Sequence, residues 1–424
     1  MAEHRPAARR VLILNHYAKP LTHAGGTRHV ELFGRLRGWD WAIIIAGVDH
    51  ISKRAYVPDD PHFIAVPVTR YTRNNHRRVL SWFSYARNAL VAALRQPRPD
   101  VVYASSPHIL APVAGWAVAR LRRAKFVLEI RDLWPEAMVS TGYLRSGSLV
   151  HRALRFLELW LYRRADRIVM VADGWRSYLT SRGVDESKLG WVSNSAEPAD
   201  FDLRPDLYQP LRDRVPVRGR LIVFAGAHGP INGLDKLLDA ATELPEHTFV
   251  LIGDGHDKRE LVQRASAAGL TNVRFLDPVP KQELQAILGG ADIGVHVLAY
   301  SPVYRLGASP NKLYDYLAAG LPVLNNCPGE PEDILLTSDS GLTVDSGKIA
   351  AGLRKLAELD DAALVEMGRR GRRFIQEHRS REVMSARLQR LLDDVVATSR
   401  RSPHRPAGPP LAAEEAPAGH APPQ

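Results

Sequence analysis

The chain has one cysteine, Cys327, among its 424 residues. That excludes an intramolecular disulfide framework, argues against a thiolate metal cluster, and suits a reducing cytoplasm. Long apolar runs are also missing: the charged residues 1–10 lead into Val11–Leu14, which is too short for a signal peptide or a membrane span. His16, His23 and His29 are scattered rather than paired at i, i+4, so no metal site is expected. No G-x-S-x-G elbow, P-loop or dinucleotide fingerprint occurs. Acidic residues are absent between Asp60 and Asp100, a stretch holding Arg70, Arg73, Arg77, Arg78, Arg87, Arg95 and Arg98.

What is present fits a soluble globular protein, with 45% hydrophobic and 24% charged residues. The length implies two domains. Charge is divided unequally: residues 1–200 carry 30 Lys+Arg against 17 Asp+Glu, and the remainder 27 against 29. Nucleic acid, an anionic membrane, a phosphorylated substrate or an Arg-rich solvated surface would each account for a basic first half. Nucleic acid is disfavoured, because no recognition helix, zinc finger or RNA-binding sheet signature is found.

Short apolar runs alternate with amphipathic helical patterns. Val11–Asn15, Ala42–Ala46, Phe63–Val66, Val101–Ala104, Phe126–Ile130, Ile168–Val171 and Trp191–Ser193 form one series of strands. Leu221–Phe224, Phe249–Ile252, Val273–Leu276, Ile293–Val297, Val323–Leu324 and Leu342–Val344 form a second. Such alternation predicts an α/β chain of two doubly wound, Rossmann-like domains facing a central cleft, with ligands beyond the carboxyl ends of the strands. The boundaries expected are 1–197 for the first domain, 198–217 for a linker and 218–375 for the second. A C-terminal helix over 376–400 can cross back to the first domain, and a Pro/Ala-rich tail over 401–424 should be disordered.

The strand-end loops carry the chemistry. Gly25 and Gly26 follow the first strand and let backbone approach a ligand at a helix start. His108 ends another strand, where a cleft-facing and a satisfied surface histidine are both open. Arg131, Asp132, Trp134 and Glu136 crowd a third strand end, while Glu129 inside that strand reads as a structural partner for a cation. In the second half Gly226 and Gly253 follow strands. The segment SPNKLYDYLAAGLPV (Ser309–Val323) predicts a helix whose N-terminus suits a phosphate, with Lys312 and Asp315 on its first turns.

These segments together resemble the retaining GT-B glycosyltransferases of family 4, in the branch with an RDLWPE motif that includes N-acetyl-L-fucosamine transferases of bacterial surface-polysaccharide synthesis. The resemblance spans roughly residues 11–395. It rests on ILNHYAKP with Gly25-Gly26, IRDLWPE (Ile130–Glu136), FAGAHGPINGLDKLLDAA (Phe224–Ala241), IGDG (Ile252–Gly255), NVRFLDPVP (Asn272–Pro280) and NKLYDYLAAGLPV, in that order.

The resemblance implies a nucleotide-sugar donor in the second domain, most simply UDP-linked, and a glycan or polyprenyl-diphosphate-linked acceptor in the first. Gly226 and Gly253 would lie near the nucleotide, Val279 would flank the base, and Asp315 would hold the ribose. Gly307, Ala308 and Ser309 would offer backbone N–H groups to the diphosphate. Asp132 and Lys312 would be catalytic, with Gly25, Gly26, His108, Arg131, Trp134 and Glu136 on the acceptor side. No cofactor or metal is implied. Gly307 replaces the first of the family's paired acids, and Ala227 and Asn232 replace its diphosphate-gripping cations. Lys312, Lys258, Lys281 and Arg305 are the substitutes expected.

The basic stretch Arg70–Arg98, interleaved with Trp82, Phe83 and Tyr85, is expected to touch an anionic membrane, which places the protein at the inner face of the cell membrane. The second basic-aromatic helix, Leu149–Arg164, is expected to pack in the core. Two other functions stay open: a UDP-sugar 2-epimerase, and a non-catalytic nucleotide-sugar-binding partner of the same fold.

Overall fold

The computed structural model describes residues 8–23, 26–49, 52–71, 76–106, 108–140, 142–202, 211–299 and 302–398. The expected tail over 401–424 lies outside them, as do Gly25 and Arg73.

Runs of β-branched and aliphatic residues with no polar face need cover on both sides, which favours parallel pairing with helical crossovers. In the first half such runs form β1 (Arg9–Leu14), β2 (Trp39–Ala46), β3 (Phe63–Val66), β4 (Val101–Ser105), β5 (Lys125–Ile130), β6 (Arg167–Met170) and β7 (Leu189–Trp191). They pair in the order β3-β2-β1-β4-β5-β6-β7, every pair parallel. Along β1, Leu12 and Leu14 enter one core while Val11 and Ile13 enter another, on the opposite face.

The second half repeats the design with β8 (Leu221–Ala225), β9 (Thr248–Ile252), β10 (Val273–Leu276), β11 (Ile293–His296), β12 (Val323–Asn325) and β13 (Gly341–Thr343). Their order is β10-β9-β8-β11-β12-β13, again all parallel. Strand order reverses between β1 and β4 and between β8 and β11, so each sheet has a crevice beyond its central strands.

The helix Arg381–Ala397 lies on the first sheet. Met384, Leu388, Leu392 and Val395, spaced by three or four residues, join the core on the β1 face. Burying four such side chains contributes about 1.5–3 kcal/mol each. Ser380 caps the helix by accepting from the Val383 amide, and the Trp39 indole donates to Asp393 at 3.1 Å. Residues of the expected linker are not free chain: Phe201, Leu211 and Val215 are buried in the second domain's core.

Three details depart from the sequence reading. The strand β7 ends at Trp191, because the carbonyls of Val192 and Ser193 leave the ladder to accept from the Arg28 guanidinium. Short helices Glu136–Ser140, Trp175–Thr180 and Glu330–Ser338 form at strand ends where too few residues existed to show a period. The helix Leu149–Arg164 covers its neighbour Leu110–Arg122 with one side only, Trp160 meeting Trp116 edge to face at 4.6 Å. It puts Leu161 and Tyr162 into the first core, in line with the core-packing expectation, while an outer side that the sequence reading did not foresee leaves Leu149 82% and Phe156 68% exposed.

Candidate active site

The base of the first domain's crevice is a buried carboxylate. Glu129 on β5 accepts from Arg28 Nε at 2.9 Å, Tyr103 Oη at 2.8 Å and Ser105 Oγ at 2.6 Å, and pairs with His29 Nε2 at 2.8 Å. Burial by itself would raise its pKa; His29 and Arg28 more than offset that and hold it well below the usual range. Glu129 is thus the structural partner its place in the strand suggested. It ties the helix Arg28–Phe33 to β5 and fixes the direction in which β5 delivers Arg131 and Asp132.

Asp132 follows at the carboxyl end of β5, where desolvation raises its pKa against the pull of Arg131. Beside it, Trp134 meets Trp82 edge to face at 5.5 Å, and Trp82 stacks on His108 at 5.4 Å. The Trp82 indole donates to Tyr17 Oη at 2.8 Å. His108 is a buried histidine, not a surface one; burial pushes its pKa down to about 3. Its Nε2 pairs with His16 Nδ1 at 3.0 Å while its own Nδ1 has no partner. Gly26 takes φ +74° in the turn before the helix, where a Cβ would stand 2.6 Å from the Tyr17 carbonyl oxygen.

In the second domain the loops after β8 and β9 touch. Gly253 has φ +146°, and a Cβ there would lie 1.9 Å from the Gly226 carbonyl oxygen, so only glycine fits. Lys312, on the first turn of helix Asn311–Ala318, donates to Asn232 Oδ1 and stands 4.4 Å from the Phe224 ring centroid. Its ammonium therefore occupies the side of the loop where the sequence lacks a lysine at 232. Burial pushes its pKa down to about 7. Asp315, one turn on, is buried with Oδ1 unpartnered; burial raises its pKa and Lys281, 3.9 Å away, opposes the rise. Val279 packs at the edge of this core, half-buried.

The loop before that helix is held by the first domain. The Trp175 indole donates to the Gly307 carbonyl at 2.9 Å, and the Asn194 amide donates to Ser309 Oγ at 3.0 Å. A Cβ on Gly174 would stand 2.3 Å from the Leu306 carbonyl oxygen. Gly307 itself has φ +126°, and any side chain on it would press on Ala172 at 3.2 Å, which accounts for the missing acid at this position. Ala308, half-buried, lies between the two anchored residues.

Four of the expected site residues have further neighbours in the structure. Lys258 donates to the Gly253 carbonyl at 2.9 Å, the Leu276 carbonyl at 3.3 Å and Asp277 at 2.7 Å. Arg305 lines a cavity of about 530 Å³ together with Gly174, Gly307, Trp191, Glu330 and Arg379. Glu136 faces Arg155 at 3.2 Å and Arg182 at 3.7 Å inside the first domain. The Gly307 amide is spent on the Tyr304 carbonyl at 3.1 Å. Trp175, Asn194, Tyr304 and Glu31, all at the cleft, carried no local signal in the sequence. Among the described residues no group of three or more His, Cys, Asp or Glu side chains could hold a metal ion.

Two family models match the chain in succession, a glycosyl transferase 4-like domain over residues 24–195 and glycosyl transferases group 1 over residues 219–359. Together with the two sheets they define a GT-B glycosyltransferase fold. The probable glycosyltransferase WbjE of Pseudomonas aeruginosa is 26% identical over 267 residues, 60% of this chain and 65% of that one. The putative colanic acid biosynthesis glycosyl transferase WcaI of Escherichia coli is 25% identical over 254 residues, 58% and 62% of the two chains. The match thus spans slightly less than two thirds of these relatives. The structure of HepE from Anabaena in complex with UDP and glucose superposes with a TM-score of 0.69 at 15% identity, covering 91% of this chain and 100% of that chain.

Proposed function

We propose that this protein is a retaining glycosyltransferase of bacterial polysaccharide synthesis. It would move a hexosyl or N-acetylhexosaminyl sugar from a UDP-linked donor to a glycan or polyprenyl-diphosphate-linked acceptor. The observation that carries this reading is the Lys312 ammonium, brought to Asn232 beside the Gly226–Gly253 loops. A cation there, next to a helix N-terminus, suits a diphosphate leaving group. The names of the relatives and the UDP complex of HepE support the donor and pathway assignments.

In this reading the anomeric C–O bond to the β-phosphate breaks as the acceptor oxygen bonds to the same carbon. The acceptor proton passes to the departing phosphate oxygen, so no protein base is required. Lys312 would neutralise the developing charge on the diphosphate, and Asp132 would orient the acceptor hydroxyl. Trp82, Trp134 and Tyr17 supply an aromatic floor suited to a sugar ring. Gly307 favours one second reading, a non-catalytic donor-binding partner, because the acid of the family pattern is absent there.

The membrane contact is narrower than the sequence suggested. Tyr85 is in the core and donates to the Ile44 carbonyl, and Trp82 faces the cleft, so of the three aromatics only Phe83 is exposed, at 57%. Leu80 and Val91 are exposed with it, flanked by Arg77, Arg87 and Arg95, and this face of helix His76–Arg95 suits an anionic bilayer surface at the cytoplasmic side. Among the described residues no helix is long and apolar enough to cross a membrane.

The deciding experiment is nucleoside-diphosphate release from a panel of UDP-, GDP- and dTDP-sugars, with and without a bacterial lipid extract. Release from one donor that rises with lipid is expected. Saturable nucleotide binding with no release from any donor would favour the non-catalytic reading.

A further inference from the structure

Glu31, on the first domain's helix Arg28–Phe33, is 3% exposed and reaches into the second domain. Thr27 Oγ1 donates to its Oε1 at 2.8 Å, and Lys281 Nζ stands 2.9 Å from the same oxygen. Arg381 Nε lies 3.3 Å from its Oε2 and pairs through its other side with Asp200. Lys281 opens helix Lys281–Leu288, and its ammonium is also 3.9 Å from Asp315 Oδ1, too far for a hydrogen bond. One ammonium therefore stands between two carboxylates, one from each domain, and is bonded to only one of them.

The asymmetry has a chemical consequence. Asp315 is 8% exposed, yet its Oδ1 has no hydrogen-bond partner. A buried carboxylate oxygen without a donor is costly, and the ordinary remedy would be a slide of the Lys281 ammonium onto Asp315. Glu31 opposes that slide, and Thr27 and Arg381 in turn fix Glu31. That oxygen, buried and unpartnered, is left for a donor that arrives from outside the protein, and a pair of vicinal hydroxyls meets that description.

We propose that Glu31 holds Lys281 away from Asp315, so that Asp315 Oδ1 is left unpartnered for a ribose hydroxyl when the two domains face each other as they do here. The inference rests on the donor reading above. Glu31 and Lys281 act here as positioning residues, through Asp315, and recognition of the ribose becomes dependent on a residue of the opposite domain. Without Glu31 the ammonium would settle on Asp315 and compete with the hydroxyls. Without Lys281 the carboxylate would lose the cation that opposes the rise burial imposes on its pKa.

The test compares, within each protein, the affinity for UDP and GDP with that for their 2′,3′-dideoxy forms. A ratio measured in one sample is insensitive to the fraction folded. The wild type should bind the ribose form roughly tenfold or more tighter than the dideoxy form, as loss of a charge-assisted hydrogen bond predicts. In Glu31→Gln and in Lys281→Met the ratio should fall to within about threefold, with dideoxy binding little changed. A wild type that discriminates while both variants keep its full ratio overturns the inference alone, and leaves the cluster a structural contact. A wild type that binds both forms equally also overturns it, because Asp315 then does not meet the ribose. A wild type that binds neither diphosphate overturns the donor reading and the inference with it.

Discussion

Lys312 Nζ donates to Asn232 Oδ1 across the mouth of the loop that follows β8, so a cation reaches this loop from a helix eighty positions further along the chain. Lys312→Ala should lower kcat/KM for the donor by about 1.5–3 kcal/mol, roughly 10- to 150-fold, as measured by diphosphate release. Asn232→Ala should have a smaller effect in the same direction. Equal activity in Lys312→Ala and wild type would remove this lysine from the site.

The same ammonium gives donor binding a protonation signature. Its pKa is pushed down to about 7 by burial in the free protein, and a bound diphosphate favours the charged form. Above pH 7 the free protein loses this proton, so binding should take one up. Calorimetry of UDP binding at pH 8 in buffers of different ionisation enthalpy should show proton uptake, and Lys312→Met should abolish it.

The contact between Gly174 and the Leu306 carbonyl leaves no room for a methyl group. Gly174→Ala should force the loop 306–309 away from the first domain, raising donor KM and increasing the radius of gyration in small-angle scattering. Trp175→Phe, which removes only the bond to the Gly307 carbonyl, should raise KM with a loss of about 1 kcal/mol in stability and no change in shape.

Glu158 is buried, accepts from Tyr162 Oη at 2.7 Å, and has its pKa raised to about 7 by desolvation. Glu330 is raised to about 7 in the same way. Each folded-state carboxyl binds its proton more tightly than the unfolded chain does. Their stabilising effect is complete below the ordinary carboxylate range and is lost as pH rises through about 7. Thermal stability should therefore fall as pH rises from about 4.5 to 7, and Glu158→Gln should flatten that slope.

Phe83 and Arg87 share the exposed face of helix His76–Arg95. Phe83→Glu combined with Arg87→Glu should reduce co-flotation with vesicles containing anionic lipid severalfold. Diphosphate release without lipid should stay unchanged. Equal flotation of variant and wild type would place the membrane contact elsewhere.

The strands were legible because a parallel strand covered on both faces has to be apolar along its whole length, as in Val101–Ala104 and Phe249–Ile252. The glycine loops were legible for a similar reason: Gly253 answers to a steric limit that leaves its mark in one residue. Side-chain direction was not. Lys258 and Glu136 have the right charge in loops beyond strand ends, yet each has partners that no local pattern announces, Asp277 for the one and Arg155 for the other. Glu31, Lys281 and Arg381 meet across the whole length of the chain, and their association depends on how two finished domains face each other. Phe83 shows the intermediate case, since helical spacing identifies an amphipathic helix but not which of its three aromatics turns outward.

The helix Arg381–Ala397 completes the first sheet with side chains that are synthesised only after the entire second sheet. On the ribosome the first domain thus waits with one face bare while the second is made. Cutting the chain between the sheets would leave that face uncovered for good. Each half-protein is then an aggregation hazard rather than a separable module, and exchanging second domains between related chains to alter donor choice would succeed only if the last helix stays with the first sheet.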